Sequence, residues 1–258
     1  MFNRLQLQTS SYSQPTESHT PPHIEQAVIR QLQQGSTKLS FFIPQHYEEN
    51  YSYPLVVWLH GRGGSETQLH RVMPFLSMRN YSAVSVRGTE RLEQGWDWDH
   101  TPAGIEAAQQ RVFEAIDLAR ERFHVHSERI FLAGYEGGGT LALRLALAFP
   151  RQFAGAAAIG SRFPTGTGTL AQLAAVRGFP LFLAQGTESS ICSADNLAAD
   201  LNLMHAASLK VALRLYPCGD EIRTKMLSDL NEWLMERVTG IAVTEGSAEP
   251  AFPDLECN

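Results

Sequence analysis

The residues most able to do chemistry sit in short runs punctuated by glycine, and the sharpest run is Gly134-Tyr135-Glu136-Gly137-Gly138. It follows the apolar Arg129-Ile130-Phe131-Leu132-Ala133 and leads into an alanine- and leucine-rich stretch over residues 141–149. An apolar strand that enters a helix through a glycine turn fits the pattern Gly-x-Ser-x-Gly, in which a nucleophilic hydroxyl stands on a strained turn above a sheet. Small residues at 134 and 138 let strand and helix pack closely. The central position, however, is Glu136. A carboxylate there is already ionised near neutrality but is a weak nucleophile toward esters. Any mixed anhydride it formed would still need a base-activated water to clear it.

Four further runs carry polar chemistry. His60-Gly61-Arg62-Gly63-Gly64 follows the apolar residues 54–59, and Trp96-Asp97-Trp98-Asp99-His100 lies in a loop. Gly186-Thr187-Glu188-Ser189-Ser190 follows an apolar run, as does Pro217-Cys218-Gly219-Asp220. Arg87 and Arg162 follow two more strand-like runs.

The elements that must position these runs are legible from periodicity. The continuous apolar run at 54–59 reads as a buried parallel strand, and 82–86, 129–133, 155–159, 179–185 and 210–216 read as further strands. Helical spacing fills 66–78, 104–123, 141–149, 195–208 and 226–238. Residues 38–43 read as an edge strand ended by Pro44, and residues 24–33 as one short amphipathic helix. The alternation predicts an α/β fold with a mostly parallel sheet and helices on both faces, whose site lies beyond the carboxyl ends of the strands. Residues 60–64, 134–138, 186–190 and 217–220 fall there, with Arg87 and Arg162. The expected organisation is a loosely ordered segment over 1–36, one domain over 37–238 and an acidic, disordered tail over 239–258.

Composition bounds the function. The chain has 258 residues, 43% of them hydrophobic, and a formal charge of −6 with no run of five like charges. That suffices for a sizeable core and gives no electrostatic footprint for nucleic acid or an anionic membrane. Cys192, Cys218 and Cys257 match no metal or disulfide spacing and read as free thiols. With no secretion signal and no membrane-spanning run, a cytoplasmic protein is expected. Neither a cofactor nor a metal is expected.

Three blocks together resemble the phospholipase/carboxylesterase family of α/β-hydrolases, which includes acyl-protein thioesterase-like enzymes. They are Leu59-His60-Gly61-Arg62-Gly63-Gly64, the turn around Glu136, and Tyr216-Pro217-Cys218-Gly219-Asp220-Glu221-Ile222. The resemblance implies a serine at the turn, an aspartate in a Gly-Thr-x-Asp loop and a histidine in a Pro-x-Gly-His loop. This sequence has Glu136, Ser189 and Asp220 at those places, a degenerate triad. It also implies an oxyanion site built from the main-chain N–H groups of Arg62 and Gly137. His60, Gly61, Gly63 and Tyr135 would border that site, with His60 shaping its loop, and Trp96 and Trp98 either line a substrate pocket or pack their loop onto the sheet.

Removing a catalytic triad costs about 10⁶ in kcat and leaves only oxyanion and binding effects. The expectation is therefore a pseudoenzyme that binds a small molecule or a partner protein. The alternative is an active hydrolase in which His100, Cys218 or a serine supplies the missing group. Glu136 is either a tolerated replacement at a helix N-terminus or a ligand-binding group. His205 and Ser190 read as structural. Two neighbouring carboxylates at 136 and 220 would repel without a counter-ion, so Arg62, Arg87 or Arg162 is expected to bridge them as an ion-paired plug. Oligomeric state is not given by the sequence.

Overall fold

The computed structural model describes residues 29–34, 37–166 and 170–241. The expectations for residues 1–28 and for the tail beyond 241 fall outside the described residues. The first elements are strands β1 (Ile29–Gln34), β2 (Thr37–Phe42) and β3 (Tyr53–Leu59), a single 3-10 turn (Glu66–Gln68), helix α1 (Leu69–Leu76) and strand β4 (Ser82–Val86). Two short strands, β5 (Glu90–Arg91) and β6 (Trp96–Asp97), precede helix α2 (Pro102–Arg122). Then come β7 (Val125–Tyr135), α3 (Gly137–Ala148), β8 (Gly155–Ile159), α4 (Leu173–Val176), β9 (Pro180–Gly186), α5 (Ala194–Ala206), β10 (Lys210–Tyr216) and α6 (Thr224–Thr239).

Eight strands form one sheet in the order β1-β2-β4-β3-β7-β8-β9-β10. The six from β4 to β10 run parallel, and β1 and β2 are added antiparallel. Every residue of β3 is buried, because both faces of the sheet are covered. Leu55, Val57 and Leu59 face a core shared with α2 and α3, whereas Val56 and Trp58 face one shared with α1 and α6. The side-chain period of two along a strand sends neighbours to opposite layers, which is why the run has no polar positions. Helix α2 starts where Thr101 accepts the Gly104 N–H at 3.2 Å, with Pro102 in the first turn.

Three expectations are corrected here. Residues 29–33 are strand rather than helix, and 29–34 belong to the sheet rather than to a loose segment. Ile29 to Gln34 pair in register with Phe42 to Thr37, and this pairing overrides the local helical spacing. Residues 38–43 are consequently not an edge, since β2 lies between β1 and β4.

Candidate functional site

Strand β7 delivers Glu136 to the carboxyl edge of the sheet with φ 49° and ψ −122°, a left-handed backbone that costs about 1–3 kcal/mol for a residue with a side chain. The turn closes tightly. A Cβ on Gly138 would stand 2.3 Å from the main-chain oxygens of Leu59 and His60, so only glycine lets α3 pack against the end of β3. The Glu136 N–H donates to the Ile159 carbonyl at 3.0 Å, tying the turn to the end of β8.

The side chain of Glu136 lies over the loop after β3. Its Oε2 accepts the Arg62 main-chain N–H at 2.9 Å. That N–H is one of the two that the resemblance assigns to an oxyanion, and here it donates to the carboxylate. Gly61 makes room for it, because a Cβ there would meet Tyr135 Cδ1 at 2.4 Å and Glu136 Oε2 at 2.9 Å. Glu136 itself is half-buried.

His60 shapes that loop. It is fully buried, and the Gly88 N–H donates to its Nε2 at 2.9 Å, which leaves the proton on Nδ1 to donate to the Gly61 carbonyl at 2.8 Å. Burial lowers its pKa, against the Gly61 hydrogen bond and the charges of Glu66 and Asp97, which act to raise it. A neutral imidazole with both nitrogens engaged holds the ends of β3 and β4 together. Trp98 belongs to the same clamp. Its indole is buried at 2% exposure, stacks near the His60 ring at 5.0 Å between centroids, and donates from Nε1 to the His60 carbonyl at 2.8 Å. It is a packing residue rather than a pocket wall. Trp96 pairs by backbone with Gly64 and lies between the guanidiniums of Arg87 and Arg91, 5.1 and 5.5 Å from its ring.

The three arginines do not plug the site. The Arg62 guanidinium bonds Asp97 Oδ2 at 3.0 Å, Arg87 forms a bidentate pair with the fully buried Glu66, and Arg162 forms one with Asp200. Among the described residues none makes an ion pair with Glu136 or Asp220. Each guanidinium found a closer and more buried carboxylate, and Arg62 presents its main chain to Glu136 instead. The sequence reading did not assign Glu66, Asp97 or Asp200 as partners. In sequence, Glu66 looks like an ordinary acidic residue at a helix start.

Ser189 and Asp220, expected at the other two places of the triad, lie in contact. The Ser189 hydroxyl donates to Asp220 Oδ1 at 2.5 Å, while Ser190 donates to Oδ2 from its main chain at 3.2 Å and from its hydroxyl at 2.5 Å. Ile191 adds a main-chain donor at 3.3 Å. Where an aspartate would accept from a histidine, a serine donates to an aspartate. Burial acts to raise the Asp220 pKa, but these hydrogen bonds together outweigh it and hold the carboxyl below its ordinary range. Asp220 therefore organises the turn at 189–191.

The candidate substitutes are also placed. His100 lies beside the turn, with its Nε2 3.4 Å from where a Cβ on Gly137 would stand. Burial lowers its pKa, against the charge of Asp97. Among the described residues its ring makes no hydrogen bond to a hydroxyl or thiol. Cys218 is 4% exposed and burial raises its pKa, which disfavours the thiolate. His205 is exposed on α5. A serine and an imidazole do pair elsewhere, Ser52 Oγ with His124 Nε2 at 3.0 Å. They precede β3 and β7, at the opposite edge of the sheet from Glu136. No group of three His, Cys, Asp or Glu residues that could hold a metal occurs among the described residues.

Comparison with known proteins settles the lineage. The family model described as Phospholipase/Carboxylesterase matches residues 47–237. The chain belongs to that family. NocK of Nocardia uniformis subsp. tsuyamanensis, named as an esterase, is 29% identical over 120 residues, which are 43% of this chain and 34% of NocK. The match thus spans about a third of that relative. The Bacillus cereus carboxylesterase superposes with a TM-score of 0.65 at 21% identity, covering 79% of this chain and 95% of that one. The Mesorhizobium loti carboxylesterase gives 0.67 at 19% identity, with 80% and 98% covered. At such identities the likeness establishes the α/β-hydrolase fold. Within this carboxylesterase-type scaffold, Glu136 stands on the strained turn between β7 and α3. No helix among the described residues is long and apolar enough to cross a membrane.

Proposed function

We propose that this member of the phospholipase/carboxylesterase family is a pseudoenzyme that has exchanged ester hydrolysis for the binding of a small molecule in the former catalytic crevice. The observation that carries the reading is the Glu136 carboxylate seated on the Arg62 N–H. Acyl transfer needs a nucleophile, a base of near-neutral pKa to take its proton, and an oxyanion site free to receive charge. Glu136 replaces the first and occupies part of the third. The second is missing from position 220, where Asp220 is held ionised by serine donors. The buried free thiols Cys192 and Cys218 suit a reducing compartment such as the cytoplasm.

The rival reading is an active hydrolase, which the esterase names of the relatives favour. Hydrolysis of p-nitrophenyl acetate and butyrate separates the two. The protein as it stands is expected to show no turnover above the solvent blank. The triple variant Glu136→Ser, Ser189→Asp, Asp220→His is expected to gain measurable esterase activity, because the strained turn and the contact between positions 189 and 220 are in place. Turnover by the parent, abolished by substituting His100 or Cys218, would overturn the reading.

A further inference from the structure

The last strand of the sheet has one open side. Among the described residues β10 pairs with β9 alone, in a ladder that runs from Lys210 to Tyr216 without a shift of register or a proline. The Lys210 N–H donates to the Phe179 carbonyl at 3.0 Å and the Tyr216 carbonyl accepts from the Thr187 N–H at 2.8 Å, so residues 210, 212, 214 and 216 turn their main-chain groups toward β9. Val211, Leu213 and Leu215 therefore turn theirs outward. Among the described residues, the hydrogen bond made by these outward groups is an exposed one, from the Arg214 guanidinium to the Leu213 carbonyl at 3.3 Å. On the side-chain face of the same three residues, Val211 and Leu213 pack against the core that includes Met204 of α5, while Leu215 is 54% exposed. On the other face, Arg214 and Glu232 of α6 are exposed and neither makes an ion pair among the described residues. Both charges act on Tyr216 and on Lys225, which places them along one rim beside the open strand. An uncovered edge of this kind is a template for another strand.

We propose that β10 is the seam of a homodimer, pairing antiparallel with β10 of a second copy about a two-fold axis at Leu213 and joining the two sheets into one. That axis sets Leu213 against Leu213 and Leu215 against Val211 as hydrogen-bonded pairs, so the outward main-chain groups of all three residues find partners. The exposed Leu215 side chain then meets Val211 and leaves water. Ala212 stands opposite Arg214 and is small enough to let the guanidinium cross the seam toward Glu232 of the other copy. Moving the axis by one residue would set Arg214 against Lys210 or against itself, and like charges directly opposed disfavour pairing. A second copy is the occupant that fits, because one surface supplies both the unpaired cation and the unpaired anion, as a contact between identical patches requires. The helices α5 and α6, which cover the two faces beside β10, come alongside their counterparts and add to the roughly 1,200 Å² of buried surface that a stable pair needs. The seam lies at the side of the sheet and does not depend on the chemistry at Glu136.

The test is sedimentation velocity of the full chain over a dilution series, with hydrogen exchange read at single amides on the same samples. The parent is expected to sediment as a dimer when concentrated and to shift toward monomer on dilution. In the dimer the amides of Val211, Leu213 and Leu215 should exchange slowly, and dilution should release them, while Ala212 and Arg214, which face β9, keep their protection. Arg214→Glu is expected to raise the dissociation constant at least about tenfold, the effect of losing a close charge pair across an interface. Adding Glu232→Arg to that variant should recover most of the loss. A monomer at every concentration would overturn the proposal, as would a dimer in which those three amides exchange as fast as in the dilute protein, or one indifferent to Arg214→Glu. Protection of the three amides that persists in the monomer would mean that another segment of this chain covers the edge, and would overturn it too. Should Arg214→Glu fail to fold, the exchange pattern of the parent decides alone.

Discussion

Glu136 and Asp220 have different surroundings. Glu136 takes a main-chain donor from Arg62, while Asp220 is enclosed by hydroxyl and amide donors from residues 189–191. The second arrangement has a measurable pH signature. The Asp220 pKa is lower in the folded chain than its ordinary value, so its contribution to stability is complete above about pH 4 and is lost as pH falls through the folded value. Asp220→Asn should lower Tm by about 2–4 °C at pH 7, the shift that about 1 kcal/mol gives in a domain of this size. The gap to the parent should narrow below about pH 4, as thermal unfolding from pH 7 to 3 would show. A gap that does not change with pH would mean that the serine donors do not favour the ionised form. The glycine framing of Glu136, Ser189 and Asp220 was legible in the sequence at Gly134, Gly138, Gly186 and Gly219. The reversed hydrogen bond between Ser189 and Asp220 was not, since which group faces which depends on two loops meeting in space.

Between elements, the loop that carries the Arg62 N–H is set from several sides. His60 clamps it to the end of β4, Trp96 pairs with Gly64, and the buried Glu66 follows immediately with Arg87 as its bidentate partner. Arg87→Ala would strip a fully buried carboxylate of that partner, at a cost of about 3–5 kcal/mol. Arg62→Ala removes a guanidinium that is 72% exposed, and exposed pairs are worth about 0–1 kcal/mol. Urea unfolding should therefore show a much lower midpoint for Arg87→Ala and almost none of that loss for Arg62→Ala, and the reverse order would contradict this account of the loop. The sequence could show three arginines at strand ends but not their partners, which lie 21 to 38 residues away along the chain. The same limit explains β1. Its helical spacing is a local property, and the ladder to β2 that overrides it is not. The parallel strands and main helices, by contrast, are fixed by apolar runs and periodicity long enough to leave little ambiguity.

Over the whole molecule, the α/β-hydrolase fold gathers the ends of β3, β4, β7, β8, β9 and β10 at one edge of the sheet, and with them every residue singled out from the glycine-punctuated runs. The only serine–imidazole pair among the described residues, Ser52 with His124, is at the other edge. The fold was legible because six strand-like runs alternate with helices in the order the family requires. The function was less so, because the pattern around the turn reads the same whichever residue stands at its centre, and Glu136 alone sets the chemistry proposed for it. The claim that the crevice holds no base-activated nucleophile is tested most directly by treating the pure protein with a fluorophosphonate probe and weighing it intact. The account predicts an unmodified mass, with an adduct only in the triple variant, at the residue introduced at 136. A stoichiometric adduct on a serine of the parent protein would contradict it.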